Sequence, residues 1–380
     1  MKKIRIRILI LLLSITLILF SGTLKASGYE NARISLITCT GGSELYSTFG
    51  HSALRVVDDS TGVDIVFNFG LFDFNTPNFY LKFMQGRLNY MLGIQNTSEF
   101  LWQYSYEGRG VYEQVLNLTS AQKTEIMDRL SYLYLPENRF YLYSFLFKNC
   151  TTELRDILKD YIKFEEGYEK KNFRELINEY VKGSKWTRTG INLILGSNLD
   201  REISLWEGMF LPDKLFEGIK DFAPDEELLP RDPKSLIKPT PFLLSPLFIS
   251  FIVCVLLILS RIFKTFGRIQ VIALSLFSLL GVALPLIILM TDHIELHANY
   301  NLLWCNPLYA FLLAIMPLRR RWSRFLRILI IFLMASSMSV IVVWLNGVQG
   351  FLPEYVVLVV SQIIMLGGLR SELKDNSVKL

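Results

Sequence analysis

The sequence predicts an exported α+β domain, with a small antiparallel sheet packed against a cysteine-bearing helix, followed by an all-α membrane domain of five transmembrane helices. Three observations predict it. The chain opens on a basic and then apolar leader, and residues 27–220 have the mixed composition of a globular domain. From Pro241 onward, long apolar runs are separated by short polar segments that are basic and non-basic by turns.

The 380 residues are enough for two such domains, and the 51% that are apolar are concentrated in the second. The net charge of +5 would suit nucleic acid if it lay on one globular face. Instead it gathers at Lys2, Lys3, Arg5 and Arg7 and between apolar runs, where it sets membrane orientation, so no nucleic-acid partner is expected.

Residues 1–26 read as a secretory signal: a basic start, an apolar run from Ile8 to Phe20, and a small-residue end at Ala26-Ser27-Gly28. Leu24 stands where a small residue is preferred, so cleavage and retention as an anchor both stay open. Either one exports the globular domain.

Ile34 to Cys39 reads as a strand and Thr40 to Ser43 as a turn. His51 to Val57 and Asp64 to Gly70 form a hairpin about the turn cluster Asp58 to Gly62. Thr76 to Gly86 has helical spacing, with Phe79, Tyr80 and Phe83 on one side. Arg87 to Ile94 and Gly110 to Leu118 are further strands, with a short helix from near Ser98 between them. Thr119 and Gln122 make a capping box that opens a helix to about Leu135. The aromatic extended run Phe140 to Phe147 stops at Asn149. Leu154, Ile157, Leu158 and Tyr161 then recur at helical spacing, which puts Cys150 in the first turn of a helix. Asn172 to Val181 is a further helix. Residues 221–240, acidic and then Pro-rich, read as a linker.

Unsatisfied N–H groups and the positive dipole end of a helix stabilise a thiolate, so Cys150 is a candidate nucleophile in need of a base. Of the three histidines, His51 in Phe49-Gly50-His51-Ser52-Ala53-Leu54-Arg55 opens a strand at a glycine corner. A cysteine at a helix start and a histidine at a strand end are each common without catalysis. Three details favour chemistry here. Asn149, Thr151 and Thr152 form a polar collar around the thiol. Gly50 lets the corner bend toward a cleft. Asn68 sits inside the apolar strand Val66-Phe67-Asn68-Phe69, where a buried amide must find partners. If the hairpin pairs as read, Asn68 accepts from the imidazole N–H and fixes its tautomer. Asp73 is the alternative for that third role.

The Glu44 to Thr48 loop, with Glu44 and Tyr46, is a candidate source of oxyanion donors and substrate contacts. Arg55, Lys148 and Arg155 read equally as phosphate contacts or solvated surface. Cys254 and Cys305 lie in apolar runs as small buried side chains. A Cys39–Cys150 disulfide would block the nucleophile and is the less expected state.

The apolar runs fall at 242–260, 269–290, 302–318, 328–345 and 355–369. Arg261, Lys264 and Arg268 follow the first, and Arg319, Arg320, Arg321, Arg324 and Arg327 the third. Asp292, His293, Glu295 and His297 follow the second, and Asn346 to Glu354 carries no basic residue. Basic loops inside give five spans over 241–370, a cytoplasmic tail 371–380, and the His51/Cys150 domain outside. His293 and His297 would share one face of a helix, but the HExxH spacing is absent. The loop therefore reads as solvated or as a cleft wall, with no metal and no cofactor expected.

The order of histidine, polar residue on the next strand, then cysteine opening a later helix resembles the circularly permuted papain-like hydrolases of the lecithin–retinol acyltransferase type. A closer resemblance rests on Gly42 to Arg55 (GSELYSTFGHSALR), Phe67 to Phe74 (FNFGLFDF) and Asn149 to Asp156 (NCTTELRD), together with the membrane half. These phrases resemble the Lnb-type lipoprotein N-acyltransferases. The resemblance implies a Cys150–His51 site, with Asn68 in the third role, that moves an acyl chain through a thioester to the N-terminal amine of diacylated lipoproteins. Its lipid partner would be a phospholipid or the diacylated lipoprotein itself. The resemblance also implies the periplasm of a bacterial inner membrane for the His51/Cys150 domain. The phrase Thr291-Asp292-His293 with Asn299 to Trp304 belongs to the same resemblance, which puts His293, His297, Asn299 and Asn301 at the cleft beside Asn149. The rival reading is a cell-wall cysteine peptidase with the same dyad, for which a polytopic anchor has no role. A non-catalytic receptor would leave the phrases around Cys150 and His51 unexplained.

Overall fold

The computed structural model describes residues 29–73, 75–236, 238–263 and 266–378, so the expected signal segment lies outside the described residues. Seven strands form one sheet: β1 (Arg33–Cys39), β2 (His51–Asp58), β3 (Val63–Leu71), β4 (Asn89–Asn96), β5 (Val111–Val115), β6 (Phe140–Leu142) and β7 (Asp225–Leu229). Their order is β6-β4-β3-β2-β1-β5-β7, and neighbouring strands pair antiparallel. The expected hairpin forms, with Leu54 opposite Phe67 and Asp58 opposite Val63.

Side chains alternate across a strand, and here both faces are covered. Leu36, Leu54, Val56 and Phe67 point to one face and pack against Leu154 and Ile157. Ile37, Cys39, Ala53 and Val66 point to the other and meet Phe100 and Tyr104.

The helices of this part are α1 (Phe79–Met84), α2 (Thr97–Tyr106), α3 (Ser120–Tyr134), α4 (Cys150–Leu158), α5 (Phe173–Val181), α6 (Lys185–Ile194), α7 (Leu205–Gly208) and α8 (Pro212–Gly218). The Thr119/Gln122 capping box opens α3 with both reciprocal bonds present. Two expectations change. The helix read over Thr76 to Gly86 shortens to α1, because Asn78 before it takes a left-handed φ of 58°. The 221–240 linker supplies β7, an acidic edge strand on β5 whose Asp225, Glu226 and Glu227 face water. Charge on an edge discourages pairing with another chain.

The membrane part holds α9 (Pro246–Ile262), α10 (Phe266–Met290), α11 (Leu308–Ile315), α12 (Ser323–Leu345) and α13 (Pro353–Val378). Among the described residues four segments are long and apolar enough to cross a bilayer: Gly267–Met290, Tyr300–Leu318, Ser323–Leu345 and Pro353–Leu373. The helix from the first apolar run, α9, has 17 residues, or roughly 25 Å of rise against a hydrocarbon core of about 30 Å. Residues 371–378, read as tail, continue α13. Buried polar side chains join the spans. Tyr309 and Ser337 hydroxyls lie 3.1 Å apart, Ser337 Oγ donates to Gln362 Oε1 at 2.9 Å, and Gln362 Nε2 donates to the Trp304 carbonyl at 2.9 Å.

The two parts interlock at α6. The last carbonyls of a helix have no partner within it, and here the membrane loop provides one. Asn299 Nδ2 donates to the Leu193 and Ile194 carbonyls, and Asn301 Nδ2 to those of Asn192 and Leu193. The Gly196 N–H donates to the Glu295 carbonyl at 2.8 Å. A Cβ on Gly196 would lie 1.7 Å from the His297 carbonyl oxygen, so this close approach requires glycine.

Candidate active site

Asn149 sets the start of α4. Its Oδ1 accepts from the Thr151 and Thr152 N–H groups at 2.8 and 2.9 Å, and its own N–H donates to Thr152 Oγ1 at 2.8 Å. The Asn149 Nδ2 group is also committed, to the Phe145 and Phe210 carbonyls at 2.7 and 3.0 Å. This cap fixes Cys150 at the first helical position, partly buried, with Gly70 of β3 close by. Gly70 has φ +88°, and a Cβ there would sit 3.7 Å from the Cys150 Cβ.

His51 faces the side of the sheet covered by α2, its ring stacked on Tyr104 at 6.4 Å. Its Nε2 lies 2.6 Å from Asn68 Oδ1, and the imidazole is close enough to the Cys150 thiol to be the largest influence lowering it. A carboxamide oxygen only accepts, so Nε2 carries the proton and Nδ1 is the nitrogen left for the thiol. Burial pushes that thiol up. The charge and hydrogen bond of His51 outweigh burial, helped by the Ser52 backbone and the Thr151 hydroxyl, and bring it down to about 7. A wall of phenols stands beside the sulfur. Tyr90 and Tyr143 stack at 4.4 Å, and burial, with the Cys150 charge second, pushes Tyr90 up to about 12. Tyr143 is raised well above its ordinary value for the same two reasons.

The chain matches the Lnb N-terminal periplasmic domain over residues 23–181 and the Lnb transmembrane domain over residues 232–372. It belongs to the Lnb family. It is an inner-membrane protein with a periplasmic domain joined to a helical membrane domain. No curated protein and no solved structure matches it.

Of the residues singled out from the sequence, this Lnb chain brings Cys150, His51 and Asn68 together. Asp73, the alternative third residue, is exposed and accepts from Asn75 N and Nδ2 in its own turn. Glu44 and Tyr46 are exposed on the β1–β2 loop, Glu44 just before the three-residue turn Leu45–Ser47 and Tyr46 within it. Arg55 is no phosphate contact: Asp64 at 2.7 Å and Glu113 at 3.0 Å hold it. Arg155 lies over the Trp206 ring at 4.2 Å and donates to the Trp206 carbonyl. Asn149 is a cap rather than a substrate contact, since both its amide groups are committed. Asn299 and Asn301 cap α6 and do not line a cleft. His293 and His297 flank a 3-10 turn, Ile294–Leu296, so the shared helical face does not form. His293 Nε2 meets the Phe83 carbonyl at 3.2 Å, and the His297 side chain is exposed. The Cys39–Cys150 disulfide is absent, since both thiols are free. Burial, eased by Arg109, pushes the Cys39 thiol up to about 12.

Sequence reading missed Gln95. On β4 it shares a sheet face with Asn68, and its Oε1 accepts from Asn68 Nδ2 at 3.0 Å. That bond turns the Asn68 oxygen toward the imidazole. Only the β3–β4 register reveals it, and residue type gave no signal. Gln95→Leu frees the Asn68 amide to rotate. The expected result is a thiol alkylation pH profile displaced upward in a chain that still folds, with a lower melting temperature because a buried amide loses its acceptor, and Gln95→Glu, which keeps the acceptor, restores both.

Proposed function

We propose that the protein is a lipoprotein N-acyltransferase working through a Cys150 thioester. The observation that carries this reading is a thiol fixed at a capped helix start beside an imidazole oriented by Asn68, in a domain fastened to the loops of a membrane bundle. His51 Nδ1 takes the Cys150 proton, and the thiolate attacks the ester carbonyl of a glycerolipid acyl chain. The tetrahedral oxyanion collapses, the C–O bond to glycerol breaks, and the imidazolium proton passes to the departing alkoxide. In the second half the unprotonated lipoprotein α-amine attacks the thioester carbonyl. His51 accepts the amine proton, the C–S bond breaks, and the product is an amide with Cys150 regenerated. Tyr90 and Tyr143 suit this chemistry because an amine outcompetes water only where water is kept out.

In the same reading α9 is a fifth, short span, which places the C-terminus in the cytoplasm by the basic-loop rule. The strand-first order, with the cysteine helix downstream of the histidine, is that of a circularly permuted papain-like fold. A peptidase using the same dyad has no need of acyl chains.

The test is intact-mass spectrometry of the full chain after incubation with phospholipid or a synthetic diacylated lipopeptide. A fatty-acyl adduct that is absent in Cys150→Ala, and that a cysteine-terminated peptide amine discharges, is expected. Cleaved muropeptides without an adduct would replace this reading with the peptidase.

A further inference from the structure

We propose that α1 of the periplasmic domain is inserted in the outer leaflet of the bilayer, with phospholipid acyl chains covering its apolar face. Three observations carry this. First, the carbonyls at the end of α1 are held by the residues that directly follow α10. Thr291 Oγ1 donates to the Met84 carbonyl at 2.9 Å, the Asp292 N–H to the Gln85 carbonyl at 2.9 Å, and His293 Nε2 lies 3.2 Å from the Phe83 carbonyl. Arg87 Nε closes the joint on Asp292 at 2.6 Å. The height of α1 is therefore that of the outer end of α10.

Second, that height is interfacial. The span Gly267–Met290 has 24 residues, about 36 Å of rise against a hydrocarbon core of about 30 Å, so its last turn reaches the headgroup layer. Leu286, Leu289 and Met290 of that turn are exposed, Leu289 to 80%. Third, α1 continues this apolar surface. Leu81 is 43% exposed, Phe83 46% and Met84 54%, large apolar groups on a single short helix. Scattered exposed leucines mean little, but an apolar face fixed at the bilayer boundary is the pattern of a helix lying in the interface. Because α1 follows β3, whose Gly70 abuts Cys150, the inserted helix sets the sulfur close to the lipid surface.

Depth is measured in a Cys150→Ser chain, where the other three cysteines are buried. Single Leu81→Cys, Phe83→Cys and Met84→Cys variants carry a nitroxide label, with Asp128→Cys on exposed α3 as the aqueous control. The chain is placed in phosphatidylethanolamine–phosphatidylglycerol liposomes. The expected result is a ratio of oxygen to nickel-chelate collisions several-fold higher at the α1 positions than at Asp128. An equal ratio, which puts the face in water, overturns the proposal. So does spin–spin broadening between labels, which makes a second copy the cover. The thiol is absent from this chain, so the outcome is independent of whether acyl transfer occurs. In the otherwise native chain, Leu81→Asp with Phe83→Asp should lower Cys150 acylation from bilayer lipid at least tenfold and leave alkylation by iodoacetamide unchanged. Unchanged acylation would remove α1 from lipid delivery.

Discussion

His51→Ala should move the pH midpoint of Cys150 alkylation from about 7 to beyond the ordinary thiol range. The direction follows from the opposing causes at the sulfur. Burial raises the thiol, and the charge and hydrogen bond of His51 are the largest influences lowering it. With the imidazole gone, burial remains. A free thiol near 8.5 is only about 3% ionised at pH 7, against roughly half for a midpoint of about 7. Alkylation at pH 7 therefore drops at least ~15-fold, with most of it regained as the pH is raised past 9. Under the proposed mechanism acyl transfer falls further, by about 10²–10⁴-fold, because there the same ring moves the protons in both half-reactions. Rates of iodoacetamide capture and of acyl-adduct formation across pH check both. A profile that stays at the native midpoint would remove His51 from the site.

Replacing Arg174 by Met should cost about 3–5 kcal/mol of stability, since it strands a buried carboxylate. Arg174 is 4% and Asp200 6% exposed, joined at 2.8 Å. The guanidinium also donates to Asn192 Oδ1 and to the Leu195 and Gly196 carbonyls, while Asp200 Oδ1 accepts from the Gly350 N–H between α12 and α13. One buried ion pair thus ties α5, the end of α6 and an outer membrane loop. Thermal unfolding of the full chain in nanodiscs should show the loss, together with new proteolysis near Gly196. Asp200→Leu added to Arg174→Met should recover much of it, since an apolar pair no longer leaves a charge unpaired. No recovery would mean that the carbonyl contacts, not the charge, hold the joint.

What the sequence made legible was local. The His51–Asn68 pairing follows from one hairpin whose turn residues are visible. The α3 cap and the Cys150 helix follow from short-range patterns. The misreadings share a cause: a charged or amide side chain reads as a ligand contact when its true partner lies far along the chain. Trp206 for Arg155 and the carbonyls ending α6 for Asn299 and Asn301 are non-local, and no spacing rule reaches them; Arg55 finds Asp64 within its own hairpin, but its second carboxylate, Glu113, is again distant. The edge strand β7 escapes notice because pairing at an edge needs only backbone, so acidic side chains there look like linker. Gln95 is hidden for a related reason, since its place is set by register.

His51 and Ser52 are consecutive, yet they serve opposite sides of the sheet. The imidazole lies against Tyr104 of α2, while Ser52 Oγ sits 3.2 Å from Thr151 Oγ1 of α4. A slip of β2 by a single position would exchange the two, pointing a hydroxyl where the ring belongs and burying the ring under α4. The meeting of imidazole, amide and thiol is in this way keyed to strand alignment. A misaligned fold would lose the ring beside the thiol while keeping its helices, so chemical capture of the thiol reports folding fidelity more sharply than helix content does.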